Sequence, residues 1–437
     1  MGAVAMSGAS KGRAIIIGGS LGGLFAAGCL RRIGWEVEVC EKTGDDLASR
    51  GAGLGTHDEM FAVMEHLGIE VDADIGVEIR RRYVLERDGR CSLAVDVSQR
   101  QSSWAWFYNR LKDILPAHNY HFNAQLLRVE QDGEGVTAVL ADGRRLRGDL
   151  LVGADGIRST VRAQFAPAAQ PRFSGYVAWR GMIPEASFPS RLHAELFDKY
   201  VFCLPEGEMM LAYPVPGAGG DTRPGHRGYN FVWYHPIGRE DALARLCTDA
   251  RGRCHGTAIA PPLIRPEEIA NMRAIGRAKF AEPVADMLDL TVQPFFQAIF
   301  DLESPTMVFG RVALLGDAAF VARPHVGMGV TKAALDAYEL ANRLADRASV
   351  DAALRAYDDS QSRFGHAIVQ WARHIGVHLE AQLKPREQRT EEELHHQPAK
   401  VLRQVGARIS EIPPLAGFRD LPRSSGKVQT WVAGDAL

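Results

Sequence analysis

The most informative run of residues in this chain is Ala14-Ile15-Ile16-Ile17-Gly18-Gly19-Ser20-Leu21-Gly22-Gly23. Its apolar, β-branched beginning is typical of a parallel strand that is buried on both faces. The glycines that follow predict a tight turn into a helix, where backbone N–H groups can approach a phosphate. The pattern therefore predicts a Rossmann-like α/β unit that binds a nucleotide.

A second apolar run, residues 36–40, ends in Glu41. A carboxylate at the end of this second strand can accept hydrogen bonds from ribose hydroxyls. Ser20 occupies the position of the middle glycine in the GxGxxG pattern, so a glycine-rich loop in an ordinary βαβ unit is the alternative interpretation. This βαβ unit alone does not indicate whether the bound dinucleotide is NAD or FAD.

Two later motifs repeat the arrangement of an apolar strand that ends in an acidic turn. The first is Leu150-Leu151-Val152-Gly153-Ala154-Asp155-Gly156, with Ser159 as the predicted N-cap of a short helix. The second is Val312-Ala313-Leu314-Leu315-Gly316-Asp317. Because ligands of open α/β sheets collect at the carboxyl ends of the strands, we expect Asp317 to face a ligand.

The segment Pro324-His325-Val326-Gly327-Met328-Gly329 precedes a long predicted helix. The apolar stripe of that helix has helical spacing. It consists of Val330, Ala333, Ala334, Ala337, Leu340, Ala341 and Leu344. A glycine-rich helix N-terminus can place N–H donors and the positive end of the helix dipole beside an anionic group.

In this order, GGSLGG, Glu41, GADGIRSTVR and GDAAFVARPHVGMG resemble the motifs of the single-component (group A) FAD-dependent aromatic hydroxylases, which share the p-hydroxybenzoate hydroxylase fold. The resemblance extends over roughly residues 13–375. The segments YVAWRG (176–181) and ARPH (322–325) are most similar to hydroxylases of N-heteroaromatic rings of the 2,6-dihydroxypyridine 3-monooxygenase type. The family implies a mixed α/β fold: a Rossmann-like FAD-binding domain, an inserted antiparallel-sheet substrate domain and C-terminal helices.

The resemblance also implies a set of cofactor-binding residues. They are Gly18, Ser20, Leu21, Gly23, Glu41, Arg50, Leu54, Arg110, Asp155, Asp317, Gly327 and Gly329. In the family, the glycine loop and the acid hold the ADP half of FAD. The Asp-Gly segment serves both FAD and the nicotinamide, and the Gly-Asp aspartate binds the ribityl and pyrophosphate region. Phe320 and Thr331 depart from the family, since many relatives have His and Asn there.

The implied reaction is hydroxylation of a small electron-rich aromatic or hydroxypyridine-like ring with NADH or NADPH, O2 and a flavin C4a-hydroperoxide, because the flavin carries the oxidation. The reaction needs a dry chamber and a group that activates the ring. The candidate catalytic residues are His325, Pro324, Tyr213 and Tyr234. Packing or loop stabilisation is the alternative role for His325, and a core or surface position is the alternative for each tyrosine. Arg180 is a further candidate for binding a carboxylate or oxyanion.

The predicted domain organisation is discontinuous. Residues 13–77, 102–172 and 300–347 are expected to form the FAD-binding domain, and residues 78–101 and 173–299 the substrate domain. Four strands are predicted in the larger insertion, at residues 176–183, 194–202, 209–214 and 228–235. Residues 348–437 are expected to form a C-terminal helical region and an irregular tail.

The composition of the chain argues against nucleic-acid-binding, membrane and metal-binding proteins. The chain has 437 residues, of which 46% are hydrophobic and 24% charged, with a formal net charge of −2. These values predict no nucleic-acid or membrane partner. The six cysteines contain no CxxC pair, so they predict a reducing, cytoplasmic location and no metal site. The oligomeric state stays open, with a homodimer as one alternative.

Other functions remain as alternatives to the hydroxylase. A flavin-dependent halogenase or an FAD-dependent reductase shares the fold. A plain NAD dehydrogenase lacks the Asp-Gly and Gly-Asp pair, and a non-catalytic flavoprotein sensor is a third class. The exact ring and the choice between NADH and NADPH are not predicted.

Overall fold

The computed structural model describes residues 10–47, 53–347, 349–394, 397–418, 421–425 and 431–433. The strands in chain order are β1 (Arg13–Ile17), β2 (Glu36–Cys40), β3 (Gly53–Gly55), β4 (Val77–Leu85), β5 (Cys91–Ser103), β6 (Tyr120–His121), β7 (Leu126–Gln131), β8 (Val136–Leu140), β9 (Arg145–Gly148), β10 (Leu150–Gly153), β11 (Arg172–Pro184), β12 (Tyr200–Cys203), β13 (Met209–Val215), β14 (Gly228–Pro236), β15 (Phe295–Glu303), β16 (Val308–Phe309), β17 (Val312–Leu314), β18 (Phe320–Val321) and β19 (Trp431–Ala433). The α-helices are α1 (Leu21–Arg32), α2 (Asp58–His66), α3 (Trp104–Asp113), α4 (Thr160–Phe165), α5 (Ser190–Leu196), α6 (Glu240–Leu246), α7 (Pro266–Lys279), α8 (Glu282–Leu290), α9 (Gly329–Asp346), α10 (Val350–Ile375), α11 (Val377–Glu380), α12 (Glu391–Leu394) and α13 (Pro398–Gln404).

The first sheet, which we call the nucleotide sheet, has the order β16-β17-β10-β1-β2-β6. Strand β1 pairs in parallel with β2 on one side and with β10 on the other. Helices α1 and α9 pack on each other, and the small β7-β8-β9 sheet contacts β1 and β10. Burial of the β1 residues Ile15 and Ile16, both 0% exposed, confirms the predicted strand between two covered faces.

The second sheet, which we call the roof sheet, has the order β18-β15-β11-β14-β13-β12-β4-β5-β19, and β3 pairs with β5. Its side chains alternate between two cores, as the two-residue period of a strand requires. Tyr176 and Ala178 of β11 join the core of the nucleotide sheet. Val177 and Trp179 join a separate core with α5, α6, α7 and α8, which we call the outer core of the roof sheet. One face of the roof sheet, the inner face, therefore points toward the nucleotide sheet. The other face is covered by helices.

The predicted strand at residues 194–202 is wrong in its first half. Residues Ser190–Leu196 form α5, and only Tyr200–Cys203 is extended. Leu192 and Leu196 lie one helical turn apart and are both buried in the outer core of the roof sheet. A short apolar run is compatible with a strand or with a helix, so the packing of these leucines determines which of the two forms.

The C-terminal part contains more than the predicted helices and tail. Strand β19 pairs antiparallel with β5, and α13 contacts β4 and β5. Arg82 of β4, which is 0% exposed, donates from Nη1 to the carbonyl oxygens of Leu402 (2.5 Å) and Val405 (2.8 Å). The described C-terminal residues therefore return to the roof sheet. Among the residues that the structure describes, no helix has the length and apolar character needed to cross a membrane.

Candidate active site

A cavity of about 580 Å³ opens at the carboxyl ends of β1, β10 and β17. It brings together segments that lie up to about 300 residues apart in the chain. Seven of the predicted cofactor-binding residues line it. They are Gly18, Ser20, Leu21, Glu41, Asp155, Asp317 and Gly329.

The glycine turn after β1 has the shape that the sequence predicts. Gly18 has a φ of +107°, and a Cβ at this position would lie 2.3 Å from the carbonyl oxygen of Ala154. A Cβ on Gly23 would lie 1.9 Å from the carbonyl oxygen of Gly18. Gly23 does not line the cavity; it lets α1 pack closely beneath the turn. A larger residue at Gly18 or Gly23 would therefore force the backbone of the turn to move.

Two helices begin at the cavity, α1 and α9. Neither N-terminus is capped by a side chain, and neither has an acidic residue in its first turn. Their first N–H groups and positive dipole ends therefore remain free of intrahelical partners beside the same cavity. An elongated ligand with one anionic group near each helix N-terminus fits this arrangement. FAD is such a ligand, because it carries a pyrophosphate and, at its other end, the flavin N1–C2=O edge.

Glu41 connects β2 to the glycine turn. Its carboxylate accepts hydrogen bonds from the backbone N–H of Gly19 (2.9 Å) and from the N–H (2.9 Å) and hydroxyl (3.0 Å) of Thr43. The side chain is buried but lines the cavity. A carboxylate has room for further donors, so Glu41 can also accept ribose hydroxyls while it holds the turn.

Asp155 faces the cavity and also caps α4. Its carboxylate accepts hydrogen bonds from the Ser159 hydroxyl (2.5 Å) and the N–H of Thr160 (2.7 Å). The Ser159 hydroxyl in turn accepts the N–H of Arg162, which confirms the predicted N-cap. Burial raises the pKa of Asp155, and these hydrogen bonds oppose the rise.

Asp317 follows β17 on a short turn and lines the cavity. Its side chain is exposed toward the cavity, but the protein around the cavity keeps most water away from the carboxylate. This desolvation raises the pKa of Asp317 to about 6. The positive charge of Lys332 opposes the rise, and the negative charge of Asp336 adds to it. Asp317 is therefore a carboxylate whose charge near neutral pH depends on its neighbours.

The two candidate tyrosines lie on the inner face of the roof sheet. Tyr234 contacts the ring of His325 edge-on at a centroid distance of 5.1 Å, and Tyr176 stacks on the same ring at 6.3 Å. Tyr213 lies beside Tyr200 at 4.8 Å. Tyr176, Tyr234 and His325 therefore form one aromatic cluster. Tyr213 and Tyr200 form a separate ring contact in the same core.

Buried polar atoms without hydrogen-bond partners mark the same region. They are the Tyr176 hydroxyl, Arg180 Nε, both amide atoms of Asn230 and His325 Nδ1. Asn230 and Tyr176 were not identified from the sequence as site residues. The two-residue period of β14, which places Asn230 on the same face as the candidate Tyr234, was the available signal. Such atoms are rare in a folded interior, so they indicate a place for a ligand or for water.

Three further predicted cofactor residues, Arg110, Leu54 and Gly327, do not line the cavity. Arg110 is exposed on α3, with its guanidinium 5.4 Å from the ring of Trp106. Leu54 lies in β3, which pairs with β5. Gly327 has a φ of +71° at the end of the turn that carries Pro324 and His325. Arg50 lies outside the described residues. The roles of these residues stay predictions. In the described residues, no group of His, Cys, Asp and Glu side chains could hold a metal ion.

The departures from the family motif have local partners. Thr331 donates or accepts a 2.9 Å hydrogen bond with His57 Nδ1. Phe320 lies 5.4 Å from the ammonium of Lys332. Burial lowers the pKa of His57 to about 4, so this histidine is neutral near pH 7.

The fold and the cavity are those expected of an FAD-binding protein. The chain belongs to the family described as "FAD binding domain", whose model matches residues 11–219 and 297–372. A second model, "FAD binding domain-like", matches residues 173–301. These matches confirm the predicted FAD-binding fold and the predicted cofactor.

Individual relatives confirm the predicted class of protein, the FAD-dependent aromatic hydroxylases. The chain is 29% identical over 368 residues to 2,6-dihydroxypyridine 3-monooxygenase of Paenarthrobacter nicotinovorans, covering 84% of this chain and 91% of the relative. It is 30% identical to a salicylate hydroxylase of Pseudomonas putida, covering 74% and 73% of the two chains. The solved structure of 2,6-dihydroxypyridine-3-hydroxylase from Arthrobacter nicotinovorans is similar with a TM-score of 0.80 and 27% identity, covering 86% of this chain and 95% of that one.

Proposed function

We propose that this protein hydroxylates a hydroxypyridine-like ring, using NADH or NADPH and O2. The observation that carries the proposal is the set of buried, unpartnered polar atoms on the inner face of the roof sheet. An unsubstituted or purely apolar ring would leave these atoms unsatisfied, which costs about 1–3 kcal/mol for each group. A ring with hydroxyl and N–H groups satisfies them. The similarity to a 2,6-dihydroxypyridine 3-monooxygenase supports the same substrate class.

His325 is proposed to orient the ring as a hydrogen-bond acceptor. Its Nε2 lies 3.1 Å from the carbonyl oxygen of Ala372, so Nε2 carries the proton and Nδ1 has the lone pair. Burial and the charge of Arg323 lower the pKa of His325 to about 3, which keeps the ring neutral. Nδ1 would accept a hydrogen bond from a ring hydroxyl or N–H and thereby increase electron density at the carbon to be hydroxylated. Pro324 sets the turn that holds His325.

Arg180 is proposed to face the negative charge of an ionised ring. Burial raises the pKa of Tyr213 and Tyr234, and the charge of Arg180 opposes this rise for both. Arg180 therefore lies close enough to act on two hydroxyls of the roof sheet. A delocalised anion beside a guanidinium is favoured electrostatically in a water-poor chamber.

FAD, when bound and reduced by the nicotinamide, supplies the oxygen-transfer chemistry. The residues proposed to hold it are those of the glycine turn, Glu41, Asp155, Asp317 and Gly329. Arg50, Leu54, Arg110 and Gly327 are proposed as further contacts in a conformation that carries the complete cofactor.

The test is a screen of hydroxypyridines, hydroxybenzoates and salicylate with the purified holoenzyme. We expect a hydroxypyridine to stimulate NAD(P)H oxidation and its product to gain one oxygen atom from labelled O2 in mass spectrometry. Arg180→Gln should raise KM for the ionised ring by about tenfold or more, and Arg180→Lys should do so less. Stimulated NAD(P)H oxidation without an oxygenated ring, or a product that forms only with halide, would contradict the proposal.

A further inference from the structure

Two buried side chains of α9 lie beneath the turn that presents Asp317 to the FAD cavity. Lys332 is 2% exposed and Asp336 is 0% exposed. They are one helical turn apart, and Lys332 Nζ lies 2.6 Å from Asp336 Oδ2. Removing two charges from water is costly, so a buried ion pair of this kind needs further partners to be tolerated.

The further partner is the backbone of Gly316. Asp336 Oδ2 accepts the N–H of Gly316 at 2.9 Å, and Lys332 Nζ lies 3.5 Å from the carbonyl oxygen of Gly316. Gly316 has a φ of +61°, so the turn has a conformation that other residues rarely adopt. The ion pair thus contacts both backbone groups of the residue immediately before Asp317.

Other polar side chains bind backbone carbonyl oxygens in and beside the turn. Arg162 of α4 donates to the carbonyl oxygen of Ala318 at 2.9 Å, and the hydroxyl of Tyr357 on α10 donates to the carbonyl oxygen of Leu314 at 2.8 Å. Burial lowers the pKa of Arg162, and the negative charge of Asp155 opposes this effect. The charges that act on Asp317 are those of Lys332 and Asp336, both on α9.

We propose that Lys332 and Asp336 are positioning residues for FAD. Asp336 holds the Gly316 turn in place, and Lys332 balances the negative charges of Asp336 and Asp317, so that Asp317 meets the cofactor as a carboxylate. Neither side chain lines the cavity, so both act through Asp317 and its turn. The proposal concerns retention of FAD and is independent of which ring is hydroxylated.

The sign of the pH dependence follows from the chemistry of the ligand. The ribityl hydroxyls of FAD can donate hydrogen bonds to an ionised Asp317, and these are stronger than bonds to a neutral acid. Burial raises the pKa of Asp317 to about 6, and Lys332 opposes the rise. FAD should therefore bind more weakly as the pH falls through about 6. Without the lysine charge, the midpoint of this change should move to higher pH.

The experiment measures the Kd of FAD by flavin fluorescence during titration of apoprotein, between pH 5 and pH 8.5. In Lys332→Met, we expect the Kd at pH 7 to rise roughly 10- to 100-fold and the midpoint to move up by about one pH unit. Affinity should recover toward the wild-type value at pH 8.5. Lys332→Arg retains the charge and should keep the wild-type midpoint.

Two further variants separate charge from structure. The double variant Lys332→Met/Asp336→Asn removes both charges but keeps an oxygen that can accept the Gly316 N–H, so its midpoint should return close to that of the wild type. Tyr357→Phe removes a hydrogen bond to the same strand without a change in charge, so it should leave the midpoint unchanged.

Three outcomes would overturn the proposal. The first is a wild-type Kd that does not change across pH 6, which needs no variant to fold. The second is a Lys332→Met protein with wild-type affinity and midpoint. The third is a folded double variant that binds FAD as weakly as Lys332→Met at every pH, because the pair would then support only the fold. If Lys332→Met does not fold, Asp336→Asn decides the matter: it leaves the Lys332 charge unbalanced, so the midpoint should move to lower pH, and an unchanged midpoint would overturn the proposal.

Discussion

His325 Nε2 donates a hydrogen bond to the carbonyl oxygen of Ala372, 3.1 Å away on α10. This bond determines the tautomer of the imidazole, since a carbonyl oxygen can only accept. Nδ1 is consequently the acceptor nitrogen, and it is buried without a partner between the rings of Tyr176 and Tyr234. A histidine held in this way is suited to accept one hydrogen bond from a substrate, not to exchange protons with solvent.

The first prediction concerns the coupling of NAD(P)H oxidation to hydroxylation. His325→Gln can still donate an amide N–H toward Ala372 but loses the imidazole acceptor. We expect the yield of hydroxylated product per NAD(P)H to fall by about tenfold or more, with hydrogen peroxide released instead. FAD content should stay near the wild-type value. His118→Ala, at an exposed histidine, is the control, and an unchanged product yield in His325→Gln would contradict the role.

The second prediction is a loss of stability in mild acid. The pKa of His325 is lowered to about 3 and that of His57 to about 4, mainly by burial. The unfolded chain therefore binds more protons than the folded one below pH 6.5, so stability falls as the pH falls through that value. Above pH 6.5 both histidines are neutral in both states and contribute nothing to the pH dependence.

The measurement for this prediction is the free energy of unfolding in urea at pH 6 and pH 5. Removal of one histidine in His325→Gln should reduce the loss between these values by about 1 kcal/mol relative to wild type. Asp317 titrates in the opposite sense in this range, because its pKa is raised to about 6. The comparison between variant and wild type cancels that contribution. Equal losses in the two proteins would count against a buried, neutral His325.

The third prediction concerns Asp317. We expect Asp317→Ala to weaken FAD binding by roughly 10- to 100-fold, because hydrogen bonds to a charged acceptor are lost. Asp317→Asn should weaken it less, since one acceptor oxygen remains. Asp346→Ala, at the exposed C-terminal end of the same helix α9, is the matched control. Wild-type flavin occupancy in Asp317→Ala would show that this carboxylate does not hold the cofactor.

The fourth prediction compares two glycines with positive φ. A Cβ on Gly18 would lie 2.3 Å from the carbonyl oxygen of Ala154, whereas a Cβ on Gly143 would meet nothing within 4 Å. Gly143→Ala should therefore cost only the backbone strain, about 1 kcal/mol. Gly18→Ala should cost more and should also abolish FAD retention, because the turn must move. Thermal unfolding with and without added FAD measures both effects, and similar results for the two variants would exclude the steric argument.

The fifth prediction concerns the contact between β4 and the C-terminal residues. Arg82 binds the carbonyl oxygens of Leu402 and Val405, and the N–H of Gly406 donates to the carbonyl oxygen of His325 at 3.1 Å. In Arg82→Met, we expect faster hydrogen exchange in residues 398–415 and a lower yield of product per NAD(P)H. The protein should lose roughly 2–4 kcal/mol of stability. Arg80→Met, at an exposed position on the same strand, should change neither, and unaltered exchange in Arg82→Met would refute the link.

Much of the nucleotide sheet was predictable because its signals are local. The apolar run before Gly18, the acid at Glu41 and the strand before Asp317 each determine a short piece of backbone. The hairpin at Gly143 and the helix after Gly329 also follow from residues close in sequence. Local turn chemistry and hydrophobic period suffice for such elements.

The roof sheet shows where local signals end. Residues 190–196 are helical because Leu192 and Leu196 pack into the outer core, and no nearby residue required this. Similarly, Asn230 and Tyr176 became site residues only when β14 and β11 paired with one face toward the nucleotide sheet. Which face is buried depends on distant segments of the chain.

Local residue patterns were enough to predict the strand, glycine turn, helix, strand and acid of residues 14–41, and the two later Asp-containing turns. The family resemblance implied that Gly18, Glu41, Asp155 and Asp317 bind one cofactor, and folding brings all four to the lining of one cavity. Folding also places the Lys332–Asp336 ion pair against the turn that carries Asp317, where Asp336 accepts the N–H of Gly316. The physical reason is range: turn and helix chemistry act between neighbours, whereas cavities and buried charges exist only where remote segments exclude water together.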